Sequence, residues 1–151
     1  MGQDIFSIVG SALGAQNQRM GAIASNLANI DSITPQGQQP YRAHELVFAA
    51  APVSDGETEG GSGGSSTDAL NGGQMGVQVV DTVQSNADPV RKYDPSSPYA
   101  DKTGFVTGSN VSQADQMVDL IDSSNSYSAS VAVLQQAARI DQQIISSFQV
   151  T

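Results

Sequence analysis

A mainly α chain with a small β region is the fold class this sequence predicts, its N- and C-terminal helices forming a coiled-coil-like pair. Three observations carry that expectation. Phe6, Val9, Leu13, Gln16, Met20, Ile23, Leu27 and Ile30 follow one another at alternating intervals of three and four residues. Leu120, Ser124, Tyr127, Val131, Leu134, Ala138, Asp141, Ile145 and Phe148 repeat the rhythm near the C-terminus. Such a stripe is the seam of a coiled coil or of a packed helix pair. Between the two lies a middle that carries strand alternation and a Gly/Ser-rich segment instead.

The first helix is expected from about Gln3 to Ile30, with Asp4 placed well against the helix dipole. Gly10, Gly14 and Gly21 each weaken it by about 0.5–1 kcal/mol relative to Ala, and such small residues also let another helix approach closely. Pro35 and Gly37 end it, so the helix stops near Asn29-Ile30-Asp31 and a turn-rich stretch runs to Pro40. A strand follows over His44–Val53, where Leu46 and Phe48 alternate with Glu45 and Val47.

Ser54 to Gly76 is rich in Ser, Gly, Thr and acids and reads as a flexible loop, since nothing in it offsets the entropy of ordering. Val77, Val79, Val80 and Val83 mark a second strand, antiparallel to the first across that long loop. Ala87 to Thr107 contains Pro89, Pro95 and Pro98 and reads as an irregular extended connection with one short strand at Gly104–Thr107. Ser112 to Phe148 is free of Gly and Pro and reads as a helix, which at that length spans roughly 55 Å. Its middle, Asp122 to Ser128, has poor helix propensity, so packing must stabilise what local preference does not. Residues 1–31 and 111–151 are thus expected to form one helical core domain, with 32–110 a middle connector that holds the hairpin and the loop at 54–76.

Composition narrows the function. The 151 residues fit one ordinary domain, yet hydrophobic residues make up only 38%, aromatics 5%, and Trp is absent. Terminal helices of this kind must find burial outside a large central core, so their formation is expected to depend on partners. A net charge of -9 with six scattered Lys and Arg offers no patch for nucleic acid or for an anionic membrane. With no Cys, thiolate metal sites, disulfides and Cys nucleophiles are all excluded. Met1-Gly2-Gln3-Asp4 lacks the basic start and apolar run of a cleaved secretory signal, and no stretch is long enough to span a bilayer. Alone this reads as cytoplasmic, but export without a signal leaves the same absence.

No enzyme chemistry emerges. His44, the one His, precedes Glu45 at a strand start and has no nucleophile-elbow context, so it reads as a rim residue of the strand. A glycosidase needs two positioned acids in a cleft, whereas Asp55, Glu57 and Glu59, then Asp115, Asp119 and Asp122, read as solvated charge. Gly60-Gly61 and Gly72-Gly73 are not followed by Lys-Ser/Thr, which excludes a phosphate loop. No catalytic, cofactor or metal residues are therefore expected, and no small-molecule substrate. Assembly remains: Phe6, Val9, Leu13, Met20, Ile23 and Leu27 against Leu120, Tyr127, Val131, Leu134, Ile145 and Phe148, some pairs internal and others between subunits. Gln16 reads as a register or packing choice, and Asp141 stays open between that and a turn toward solvent or a channel.

Two signatures add a family. Ser11-Ala12-Leu13 and Ala24-Ser25-Asn26-Leu27-Ala28-Asn29 closely resemble the N-terminal signature of the bacterial flagellar axial proteins of rod and hook. The stretched spacer from Ser32 to Pro40-Tyr41-Arg42, followed by Leu46-Val47-Phe48, is similar to the proximal-rod members. Gly104-Phe105-Val106, Asn110-Val111, Gln116-Met117-Val118-Asp119-Leu120-Ile121 and Ser126-Tyr127 resemble their C-terminal signature in order and approximate spacing. The likeness covers residues 3–53 and 77–150. Departures are Ser109 where the family tends to have Pro, Gln116 for Glu, Asn125 for Arg or a similar residue, and a long glycine-rich insert at Asp55–Gly76.

The resemblance implies a structural subunit of the basal-body rod. Its helices would pack with copies of itself and with other rod subunits, above the export gate and membrane ring. It would leave the cell unfolded through the flagellar type III apparatus, without a cleaved signal peptide, and reside in the periplasmic rod. Competing readings are another axial protein of distal-rod or hook type, a soluble coiled-coil interaction module unrelated to motility, and an enzyme acting on peptidoglycan.

Overall fold

The computed structural model of the chain describes residues 2–35, 37–52 and 75–148. Helix α1 spans Gly2–Ala28 and helix α2 spans Gln113–Phe148, with five strands between them. β1 is Ile33–Thr34, β2 His44–Pro52, β3 Met75–Gln84, β4 Arg91–Tyr93 and β5 Phe105–Gly108. Mainly α with a small antiparallel β region is therefore the observed class. Of the expected loop at 54–76, Met75 and Gly76 belong to β3 instead, and the rest lies outside the described residues.

α1 ends two residues before the expected Ile30. Asn29 N–H donates to Asn26 O at 3.1 Å and Asn29 Nδ2 to Ser25 O at 2.8 Å, closing the last turn into a bend ahead of Pro35. α2 begins one residue after the expected start because Ser112 serves as its cap, its Oγ accepting from the Asp115 N–H at 3.4 Å. Asp115 stands in the first turn, where the helix dipole favours an acid.

β2 and β3 form an antiparallel hairpin, with His44 opposite Gln84 and Pro52 opposite Met75. Val47 faces Asp81 and Phe48 faces Val79, so Val80 is one residue too many and makes a bulge. Along the first half of β2, His44, Leu46 and Phe48 are half-buried while Glu45 and Val47 are exposed, the alternation read from sequence. The hairpin lies across α1, where the Val77 N–H donates to Ser11 Oγ at 3.1 Å.

A second sheet was not foreseen. β1, β5 and β4 pair antiparallel in that order, with Ile33 opposite Gly108 and Tyr93 opposite Phe105. β5 answers to the short strand expected at Gly104–Thr107, displaced by one residue. β1 and β4, of two and three residues, are too short for alternation to register, so the sequence suggested only turns and irregular chain there. The loop joining β4 to β5 is ordered by its own side chains. Asp94 Oδ1 accepts from the Ser96 N–H at 3.2 Å, and Asp101 Oδ1 from the Thr103 and Phe105 N–H groups at 2.8 and 2.9 Å. Gly104 has φ +82°, and a Cβ there would meet Tyr93 Cε2 at 2.8 Å, so both the backbone and the aromatic neighbour require glycine.

The helices run antiparallel, Asn26 meeting Gln116 while Arg19 meets Asp119 and Asp122. Among the described residues the buried apolar ones are few and mostly small: Val9, Ala15, Ile23, Ala43, Val106 and Val111. Ser123, with no exposed surface, packs within α2's inner face, while Ser124 is exposed. The expected stripe is thus one residue off at this point, since a strict 3-4 rhythm is only one of the paths a contact line can follow on a helix of 3.6 residues per turn. Gly10, Gly14 and Gly21 are on the outward face of α1, where a Cβ would meet nothing within 4 Å. Among the described residues no helix is long and apolar enough to cross a membrane.

Candidate functional site

Asn26, 1% exposed in the last turn of α1, uses every hydrogen-bonding position it has. Its Nδ2 donates to His44 O at 3.0 Å and to Gln116 Oε1 at 2.9 Å. Its Oδ1 accepts from the His44 N–H at 2.9 Å and from the Tyr41 hydroxyl at 3.1 Å. One amide therefore ties the end of α1, the start of β2 and the first turn of α2. A buried polar group costs free energy when unpaired and gives a unique geometry when fully paired. The buried polar residues among the described ones, Asn26, Ser109, Gln116 and Ser123, are all uncharged, so the desolvation penalty of an ion pair is avoided.

Tyr41 spends its single hydroxyl hydrogen on Asn26, so the contact with His44 Nδ1 at 3.0 Å assigns the proton to that ring nitrogen. The two rings meet edge to face at 5.3 Å. Ser25 Oγ is 3.3 Å from the same hydroxyl. His44 is accordingly half-buried in this network rather than a bare rim residue.

A second asparagine repeats the device. Asn110 Oδ1 accepts from the Ala43 N–H at 2.7 Å, and its Nδ2 donates to Ser85 O and Ala87 O at 3.2 and 3.0 Å. Arg42 Nη1 also donates to Ser85 O, at 3.1 Å. Ser109, 2% exposed, donates from Oγ to Ile30 O at 2.7 Å. Segments 25–32, 41–44, 85–87 and 109–116 are thereby drawn into one polar junction, which sets the angle between helices and hairpin.

Beside the junction opens a cleft of about 360 Å³ lined by Arg19, Ile23, His44, Glu45, Phe48 and Asp119 among others. Arg19 is committed to Asp119 at 3.3 Å and lies 3.8 Å from Asp122. Among the described residues no group of three His, Cys, Asp or Glu could hold a metal ion. What the arrangement can do is hold two distant chain segments at a fixed angle. Outside the cleft, Asp101 is lowered to about 2, first by the Thr103 hydroxyl and then by the Phe105 N–H.

The sequence-expected residues divide into two groups. Ser25, Asn26, Asn29, Tyr41 and Arg42 meet in the junction, with Leu27 and Pro40 half-buried near it and Ala28 exposed. Of the seam, Val9 and Ile23 are buried, while Phe6, Leu13, Met20, Leu120, Val131 and Leu134 are half-buried. Tyr127, Ile145 and Phe148 are exposed, Phe148 at 79%. At the observed register the partners of Ile145 and Phe148 would fall beyond the start of α1, so these two share the inner line of α2 with nothing of α1 beside them.

Seam reasoning passed over Asn110, Ser109 and Gln116, because polar residues far apart in sequence carry no periodic signal. Asn110 and Gln116 were named only within the C-terminal signature, and Ser109 and Gln116 as departures from the family's pattern.

The family described as "Flagellar basal body rod FlgEFG protein C-terminal" matches residues 102–147. The flagellar basal-body rod protein FlgC of Escherichia coli O6:H1 is 42% identical over 133 residues, which cover 87% of this chain and 86% of that protein. FlgC of Salmonella typhimurium is 40% identical over the same share of each chain. FlgC of Bacillus subtilis is 33% identical over 135 residues, 85% of this chain and 86% of the relative.

Proposed function

This chain belongs to the FlgC family of flagellar basal-body rod proteins, a structural rod subunit, and we propose that it builds the proximal rod by packing its terminal helices with those of its neighbours. Copies of itself and other rod subunits are the partners, with the membrane ring and export gate at its base. The polymer is part of the drive shaft and surrounds the export channel. The chain reaches the periplasmic rod through the flagellar export apparatus, unfolded and without a cleaved signal peptide.

The observation that carries this reading is the division of labour along the helix pair. The junction around Asn26 fixes one end within the chain, while α2 keeps apolar side chains exposed along its length. Val133, Ile140 and Ile144 show about half their surface and fall on one helical face with Phe148. An apolar row of this kind marks an interaction surface. Phe6, Val9, Leu13, Met20, Ile23 and Leu27, with Leu120, Tyr127, Val131, Leu134, Ile145 and Phe148, are the proposed assembly residues. Pairs buried inside the subunit fix its shape, and the exposed ones bind neighbours.

Mass spectrometry of purified hook–basal bodies tests the reading. Rod-like amounts of this chain beside other rod subunits are expected, and its absence from intact particles would overturn it in favour of a soluble interaction module. Leu27→Asp should leave export intact yet block incorporation, because an unpaired carboxylate at a buried contact costs several kcal/mol. Normal amounts of that variant in basal bodies would remove Leu27 from the interface.

A further inference from the structure

The β4–β5 hairpin has the make-up of a binding surface. Arg91, Tyr93 and Phe105 share one face: Tyr93 meets Phe105 edge to face at 5.2 Å, and the Arg91 guanidinium lies 5.2 Å from the Phe105 ring centre. The group is not buried, Tyr93 being 63% exposed and Val90 beside it 57%. Tyr, Phe and Arg together are what interface centres are enriched in. The loop behind them is held by the Asp94 and Asp101 turns, and Arg91 is braced on Asp101 at 2.8 Å, so little ordering cost remains to be met on binding.

Half of the chain's six cations, Arg91, Lys92 and Lys102, sit in this short stretch of an otherwise acidic molecule. The first turns of α2 offer the complement. Val118 and Ile121 are 67% and 62% exposed there, and the exposed acids Asp115 and Asp122 flank them on the same helical face. An aromatic face with a cation thus exists on the same chain as an apolar stripe between two acids.

We propose that the β4–β5 hairpin of one copy docks on the first turns of α2 of a second copy, Tyr93 and Phe105 covering Val118 and Ile121 while Arg91 faces Asp115 and Asp122. The contact joins two different surfaces, so it propagates head to tail instead of closing a dimer. It rests on the rod reading above and assigns to that assembly one specific subunit contact.

The absence of Cys makes a clean test possible. Tyr93→Cys combined with Val118→Cys, in purified basal bodies under mild oxidation, should give covalent multimers of this chain beyond the dimer, and neither single variant should. A photoreactive side chain placed at Tyr93 leaves α2 untouched and should join the peptide bearing Val118 and Ile121 of another copy. Basal bodies that contain the variants but yield no such products overturn the docking and leave the rod reading intact. So would photoproducts with a different protein or a different segment. Absence of the unmodified chain from basal bodies removes the rod reading and this contact together.

Discussion

The two ends of the helix pair are stabilised in opposite ways. At the end holding Asn26 and Gln116, buried polar groups satisfy one another and bind four segments of the same chain. At the far end, α2 runs past α1 with Ile144, Ile145 and Phe148 exposed. The first end is specified by hydrogen bonds, whose direction admits one geometry; the second offers apolar surface, whose attraction is non-directional and serves whatever neighbour covers it. A subunit that must keep its own shape and still join others gains from placing the two at different ends.

Removing the amide at the specified end should have the largest effect. Asn26→Leu takes away the side-chain bonds made to the His44 N–H and O and to Gln116 Oε1, and one of the contacts of the Tyr41 hydroxyl, at about 1–3 kcal/mol for each buried group left unpaired. Hydrogen exchange at the His44 amide should accelerate strongly, and basal-body yield should fall with it. Tyr41→Phe takes away the hydroxyl's contacts with Asn26, His44 and Ser25 but spares the rest of the network, and should cost less, about 1–2 kcal/mol. Equal exchange in parent and Asn26→Leu would show that the network is not what fixes this end.

Phe148→Ser sharpens the other side. It should change the stability of the isolated chain by no more than about 0.5 kcal/mol, yet lower incorporation into basal bodies. A matching loss in both measurements would mean that Phe148 serves the subunit's own fold.

Between the two ends, Ser123 Oγ is buried without a hydrogen-bond partner. Ser123→Ala should therefore stabilise the helix pair, by about 1 kcal/mol in denaturant unfolding, through a removed desolvation cost and a better helix former.

The smallest effect concerns the β4–β5 hairpin. Asp101 is lowered to about 2 from 3.8, so its contribution is present above the ordinary value and is lost as pH falls from about 4 through about 2. Tyrosine near-UV signals should change across that window in the parent, and the Asp101→Asn variant should lack the step.

Much of this was legible in the chain. Leu46 and Phe48 alternating with Glu45 and Val47 gave β2 its faces, and the terminal stripes gave both helices to within two residues at each described end. β1 and β4 were not legible, since two or three residues carry no period and pair only because β5 lies between them. The offset at Ser123 has a similar cause: the stripe says which side of a helix is apolar, but the partner's surface decides which small residue is covered.

By itself, then, the sequence determined what local periodicity and composition can encode: two long helices, a hairpin, an acidic chain with no cysteine, and two signatures of one family. Only the tertiary structure decided that those signatures meet, because Asn26 and Gln116 stand 90 residues apart and their bond exists only once the chain has folded back on itself. Periodicity reports what one element offers to any neighbour. A hydrogen bond between distant side chains requires a particular neighbour at a particular angle, and that information resides in the fold.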